Sequence, residues 1–496
     1  MEFRNHTPFP ALAFEGIDQH DQTFHVIVLR QTLSFASGKL EYADEQAPLC
    51  EEDEFFGEMN QSSVRQESDL CQYKPKCDVI VNATAYAPQG KPSKRFEVRL
   101  LVKQPDVPMP LPDAPQGFNP WQGPTHQQLQ LWRDQLAQAK NSKMPGATLI
   151  DKTLSVTGER YFKRHIWPVR ALTTLLSWGT LGIIAPITWR LTKSKVSSAV
   201  PMRAEYAFGG QCIVNVSDKA ARRIRKKYRL TASQLENHPS AELPADQRAI
   251  AHTAFDVNPV GRGFAENWFV SATGLSKIPA PQIAYPDNPP TLGQFLKCLR
   301  RKLPDNASVR MHAGLGVRAK GHPERRKLTG TIDANFIKSD AWLPHDFDFA
   351  VWNAATVDQQ TDLLKGDEII TLHNLCAPNS AMSTSNQQGD TLLTLTLPSN
   401  ECHVLIRLES GEMFLHPLVI DTVIIEPDSM QLSLVWRTVL AKDDEVPIRV
   451  VEARMHSFEE RDRLLQEIDE IKAQMSEADQ TSSDALPEAA GEMAYV

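Results

Sequence analysis

The chain has 496 residues, a formal net charge of -8, 41% hydrophobic and 23% charged residues. This is the balance of a soluble protein with a sizeable core, long enough for several domains. The acidic surplus argues against general nucleic-acid binding, which needs cations over the docking face.

Prolines number 34 and outnumber the 24 glycines. Proline breaks helices and collects at edges, turns and extended segments, so many short strands and ordered loops are expected. The seven cysteines lack any Cys-x-x-Cys pair, so no structural zinc site is expected, and scattered free thiols fit a reducing cytoplasm. The start, "MEFRNHTPFP", has no basic region followed by an apolar run, so no secretory signal is expected.

In chain order, residues 1–104 form a β-rich unit. "TFHVIVLRQTLSF" (Thr23 to Phe35) is a continuous apolar-rich run, and "CDVIVNATAYAP" puts Val79, Val81, Ala83 and Ala85 on one face. "RFEVRLLV" alternates Phe96, Val98 and Leu100 with Arg95, Glu97 and Arg99, the signal of a half-buried strand. Residues 105–150 hold a Pro-rich linker, "PDVPMPLPDAPQGFNPWQGPT", and a short amphipathic helix with Leu129, Trp132 and Leu136 at helical spacing, ending near Asn141.

Residues 151–300 read as a central β-rich region. It contains the uncharged stretch "ALTTLLSWGTLGIIAPITW" (Ala171 to Trp189), close in length to a membrane span. Its threonines, glycines and Pro186 favour one or two buried strands joined by a Gly turn, or an apolar surface covered by a partner. Residues 211–257 form a basic insertion, in which six of the eight residues from Arg222 to Arg229 are cationic. A solvated helix face is the expectation there, against an anionic-partner surface.

Residues 301–455 are a C-terminal β-rich region. "TLLTLTL" and "CHVLIRL" alternate, and "LVIDTVIIEPDSMQLSLVWRTVL" reads as a hairpin turning at Pro427 and Asp428. Residues 456–478 change period: Leu464, Ile468, Ile471 and Met475 make a narrow apolar seam on a helix, suited to a partner helix or a core groove. Residues 479–496 are an acidic tail expected to be disordered. The architecture expected is mainly β: two β-rich units of sandwich or barrel type, with few helices and a C-terminal amphipathic helix.

Chemistry-bearing motifs are few. "AEYAFGGQ" lacks the Gly-Lys-Ser/Thr ending of a phosphate loop, and "NPVGRGFAENW" lacks the third glycine of a dinucleotide fingerprint. Gly209, Gly210, Gly261 and Gly263 are therefore assigned to structural turns. "WLPHDFDFAVW" gathers His345, Asp346 and Asp348, which could bind a divalent metal or act as acid and base, with His373, His403 and His416 as further candidates. The alternative is a loop with Asx-type turns that buries Trp342, Phe347 and Trp352. No Gly-x-Ser-x-Gly or His-Glu-x-x-His is present.

The ordered blocks "NHTPFPA", "YKPKCDVIVNATAYAP", "PMRAEYAFGG", "NPVGRGF", "LTGTIDANFIKSDAWLPHDFDFAVWNAATVDQQ", "LKGDEIITLHNL" and "LVIDTVIIEPDSMQLSLVWR" carry a resemblance over roughly Met1 to Leu440. The chain resembles a family of bacterial domains of unknown function encoded among type VI secretion genes. That resemblance implies a cytoplasmic adaptor or chaperone, without catalysis or cofactor, for an effector loaded on the VgrG–PAAR spike tip. Neither nucleic acid nor stable membrane insertion belongs to this expectation. The span from Gly210 to Asn258, the stretch Ala171 to Trp189 and the C-terminal helix depart from the family pattern, and partner specificity is expected there. Two other readings stand beside it: a metal-assisted hydrolase or toxin using His345 to Asp348, and a peripheral membrane protein using Ala171 to Trp189.

Overall fold

A computed structural model describes residues 1–59, 61–116, 123–179, 188–302, 306–398, 401–443, 445–456 and 463. The protein is mainly β. Some strands, such as Arg95–Lys103, form where apolar and polar residues alternate, others, such as Thr23–Ser34 and Cys77–Val81, are buried along nearly all their length, and three sheets share one core.

The seven-stranded sheet runs in the order Ala11–Ile17, Thr23–Ser34, Gln431–Ala441, Val419–Glu426, Cys77–Val81 and Gln360–Thr361, with Glu41–Tyr42 added to Thr23–Ser34. The strands Val419–Glu426 and Gln431–Ala441 form the hairpin at Pro427, and Val419–Glu426 pairs in parallel with Cys77–Val81. The six-stranded sheet is antiparallel throughout, ordered Ile283–Ala284, Thr148–Thr157, Arg95–Lys103, Ile369–His373, Thr391–Thr396 and Ser383–Ser385. A four-stranded sheet joins Glu2–Asn5, Ile448–His456, Glu401–Leu408 and Met413–Pro417.

Inward-facing residues from all three meet: Ile27, Leu29, Leu434 and Trp436 from the first, Val98, Leu100 and Val102 from the second, Val404, Ile406 and Val451 from the third. Sheets therefore draw strands from both ends of the chain, across the Pro-rich segment. The helix His126–Asn141 follows that segment, started by a capping box between Thr125 and Gln128. The Trp132 indole N–H donates to the Pro112 carbonyl at 3.0 Å, tying helix to linker.

The other face of the seven-stranded sheet carries charge. Arg437 donates to Asp421 at 2.5 Å and to the carbonyls of Cys71 and Asp69. Arg30 meets Asp69 at 3.1 Å, and Lys74 meets Asp78 at 3.0 Å. Asp78 also accepts from Asn353 Nδ2 and from the backbone N–H groups of Ala354 and Ala355. Three cations and three carboxylates thus balance in a buried array, as desolvation requires. It clamps the segments 50–78 and 353–355 onto the sheet.

A second, smaller core lies within residues 162–299, built from Phe162, Trp189, Cys212, Ile224, Trp268 and Phe295. Phe162 stacks on Phe295 with ring centroids 4.1 Å apart, and Trp189 meets the same ring edge-on. Its strands include Tyr161–Arg164, Trp189–Leu191 and Lys277–Pro279.

Candidate interaction surface

The uncharged stretch begins as a helix, Trp167–Gly179, and not as a buried strand. It leaves the sheet after Arg164 and the chain returns at Trp189, which pairs with Arg164. Pro168 sits in the first turn, where its missing N–H costs nothing.

This helix is amphipathic with its faces reversed. Val169, Arg170, Thr173 and Thr174 are half-buried and Ser177 is buried, so its more polar side is the more covered one. Thr173 and Thr174 satisfy their hydroxyls by donating to the carbonyls of Val169 and Arg170. The apolar side faces outward: Trp167 is 71% exposed, Leu172 60%, Leu175 62%, Leu176 50% and Trp178 74%. Ile166, just before the helix, is exposed too. Scattered exposed apolar residues are ordinary, but a contiguous row marks a contact surface. Among the described residues no helix is long and apolar enough to cross a membrane.

The glycine motifs cross one another. Phe208–Gly209 pairs in parallel with Arg262–Gly263. Gly209, Gly210 and Gly263 have φ of 154°, 116° and 101°. A Cβ on Gly209 would lie 2.0 Å from the Asn258 carbonyl oxygen, and one on Gly261 would lie 2.8 Å from the Gly209 Cα. Asn258 Nδ2 donates to the carbonyls of Ala204 and Phe208. The N–H groups of Gly210 and Arg262 donate to the carbonyls of Asn258 and Ala207, so both are already engaged within the crossing.

In the His345 to Asp348 loop, Asp346 accepts from the Thr331 N–H at 2.8 Å and the Thr331 hydroxyl at 2.7 Å. These bonds hold its carboxyl below the usual range. Asp348 accepts from the Ala350 N–H and caps the short helix Phe349–Trp352. The expected burial of Trp342 is corrected: it is 74% exposed, while Phe347 is half-buried. Among the described residues no three His, Cys, Asp or Glu side chains are grouped to hold a metal. His373 lies in the six-stranded sheet, and His403 and His416 lie on neighbouring strands of the four-stranded sheet. Leu464, Ile468, Ile471 and Met475 lie outside the described residues.

One polar cluster was absent from the sequence reading. Lys152 sits between Ile150 and Leu154 on the inward side of its strand and is 2% exposed. Its ammonium donates to Thr356 Oγ1, Asp358 Oδ1 and Gln359 Oε1 at 2.7, 2.9 and 2.8 Å. Asp358 also accepts from the Tyr285 hydroxyl at 3.1 Å. Burial pulls Lys152 down to about 8, and burial beside Lys152 pulls His312 down to about 3. Gln359 donates to the carbonyls of Val79 and Leu315, so the cluster bolts two sheets together. A cation at an inward position of an alternating strand was the available signal.

A cleft of about 990 Å³ lies on the outer face of the six-stranded sheet and is lined by Arg95, Glu97, Arg99, Asp151, His373 and Asp390 among others. Arg99 and Asp151 pair across it at 2.6 Å. All seven cysteines are buried, and burial pushes the Cys50 and Cys212 thiols up to about 12.

These features describe a multi-sheet β protein with an exposed apolar helix in the connection between Arg164 and Trp189. The chain belongs to the family described as "uncharacterized protein conserved in bacteria" (DUF2169), whose model matches residues 20–110 and 139–437. That match spans both the apolar stretch and the basic segment 211–257, which places both within the family region. No curated protein and no solved structure matches the chain.

Proposed function

We propose that this protein is an adaptor that binds a type VI secretion effector in the cytoplasm, stabilises it, and helps load it on the VgrG spike, with a PAAR-linked effector as cargo. It acts by binding and without catalysis. The observation that carries the binding role is the reversed helix Trp167–Gly179, whose exposed tryptophans and leucines call for an apolar cover. Covering five such side chains from their present exposure is worth on the order of 5–10 kcal/mol before the cost of association. The type VI assignment rests on the resemblance of the ordered motif blocks.

Co-expression with the neighbouring effector gene, followed by affinity purification and sizing, tests this reading. The expected result is an effector that is soluble only with this chain, and a complex lost on changing Leu172, Leu175 and Trp178 to Ser. A folded chain that leaves effector level and solubility unchanged would refute the adaptor role. Flotation with lipid vesicles in place of effector capture would instead assign the helix to a membrane surface.

A further inference from the structure

We infer that two cationic segments distant in sequence, 222–229 and 300–302, form one surface that takes an acidic segment of a partner protein. The first segment is not a solvated helix face. It is two short 3-10 turns, Ala221–Arg223 and Lys226–Tyr228. Ala221 and Ile224 are drawn into the smaller core. That anchoring turns Arg222, Arg223, Arg225, Lys226, Lys227 and Arg229 outward, and all six are exposed.

The second segment, Arg300 to Lys302, follows the helix Leu292–Leu299, which buries Phe295 and Leu299 in the same core. The Tyr228 ring joins the two. Lys227 Nζ lies 5.0 Å from its centroid and the Arg301 guanidinium lies 5.1 Å from it. Trp268 stacks on the same ring at 6.3 Å. An aromatic face attracts both cations and holds them near one another despite their repulsion.

The local charge is far from balanced. Glu266, itself buried, pairs with Arg301 at 2.6 Å. Among the described residues no ion pair joins the other eight cations to a carboxylate. On a chain whose net charge is -8, this is a concentrated positive field.

The chemistry favours carboxylates of a protein segment over nucleic acid. Single-stranded nucleic acids gain much of their affinity by stacking bases on open aromatic rings. Tyr228 is already engaged by Trp268, Lys227 and Arg301. The acidic remainder of the chain also repels a long polyanion, while a short acidic segment can stay within the patch. This surface is independent of the apolar helix, so loss of one leaves the other to be tested.

Fluorescence anisotropy with a labelled glutamate-rich peptide at low salt tests the proposal on the full chain. Two double variants, Lys226→Glu with Lys227→Glu, and Arg300→Glu with Lys302→Glu, are each expected to weaken binding at least about tenfold. The control Lys39→Glu with Lys76→Glu, at exposed sites on the larger core, is expected to leave affinity within about twofold. Unchanged melting temperatures would confirm that the variants fold. Equal loss in the control, or no loss in either double variant, would overturn the single-surface assignment. Tighter binding of an oligonucleotide or an anionic vesicle than of the peptide would overturn the partner class.

Discussion

Acidification from about pH 7 to about pH 5 is expected to remove roughly 4 kcal/mol of stability through two buried histidines. His312 is 6% exposed and His322 is 3% exposed. Burial, reinforced by Lys152 and Arg318, lowers His312 to about 3; burial and Arg318 lower His322 to about 4. Both folded values lie below the ordinary 6.5. The unfolded chain therefore takes up protons as pH falls through 6.5, and the folded chain does not until the lower values are reached. The neutral-histidine contribution is full above about 6.5 and is lost progressively below it. At about pH 5 each site has lost roughly 1.5 pH units of linkage, or about 2 kcal/mol. Glu368 is raised by burial and opposes this trend, so the comparison must be with variants. Denaturant midpoints would be measured across this range for the native chain, His312→Asn and His322→Asn. Each variant should be less stable at neutral pH and show a shallower decline. His322→Asn also removes the ring nitrogen that accepts from the Glu324 N–H, so its neutral-pH loss should include that cap. An unchanged slope in both variants would refute the assignment of the acid response to these rings.

Other consequences follow from the buried charges, the glycine crossing and the reversed helix. Arg437→Met strands Asp421 without its guanidinium and should cost about 3–5 kcal/mol in equilibrium unfolding, whereas Arg99→Ala at the exposed pair should cost less than about 1 kcal/mol. Gly209→Ala should destabilise by more than about 2 kcal/mol, because its Cβ meets backbone; Gly274→Ala, also at positive φ but in open space, should cost about 1 kcal/mol. Leu175→Ser on the outward helix face should leave the melting temperature of the isolated chain unchanged or higher while reducing binding of an apolar dye. A clear loss of stability there would show that Leu175 packs inward.

Much of the β framework was legible because alternation is a local signal. Arg95 to Lys103 shows it residue by residue: Phe96, Val98, Leu100 and Val102 enter the core, and Arg95, Glu97 and Arg99 stay outside. The hairpin at Pro427 was legible because Pro427 and Asp428 interrupt two strand-like apolar runs. The buried ion array was not, for although Asp421 and Arg437 meet across that hairpin, Arg30 and Asp69 join them only after distant segments pack on it. Lys152 carried a signal in its parity, but its partners Thr356, Asp358 and Gln359 lie far along the chain. The union of Arg301 with the 222–229 run depends on Tyr228 and cannot be seen from spacing.

Of the two expectations for the apolar stretch, the buried strand fails over residues 171–179 for a more instructive reason. Apolar content in a β-rich chain suggests burial, and threonines at 173 and 174 suggest a strand. Yet the Thr173 and Thr174 hydroxyls bond back to the helix's own carbonyls, which lets both lie on the covered side with their donors satisfied. The leucines and tryptophans are then left outside, between two strands that would pair without them. Folding of the isolated chain gains little from this arrangement, because the apolar side remains in water. A partner that covers it gains the transfer energy that the fold does not use. The same reasoning separates the two exposed surfaces in the proposed binding: the helix would supply affinity by burial, and the cationic patch would supply orientation and a salt-dependent encounter rate. A partner using both would carry an apolar element and an acidic segment, and salt would slow its association more than it would speed its release.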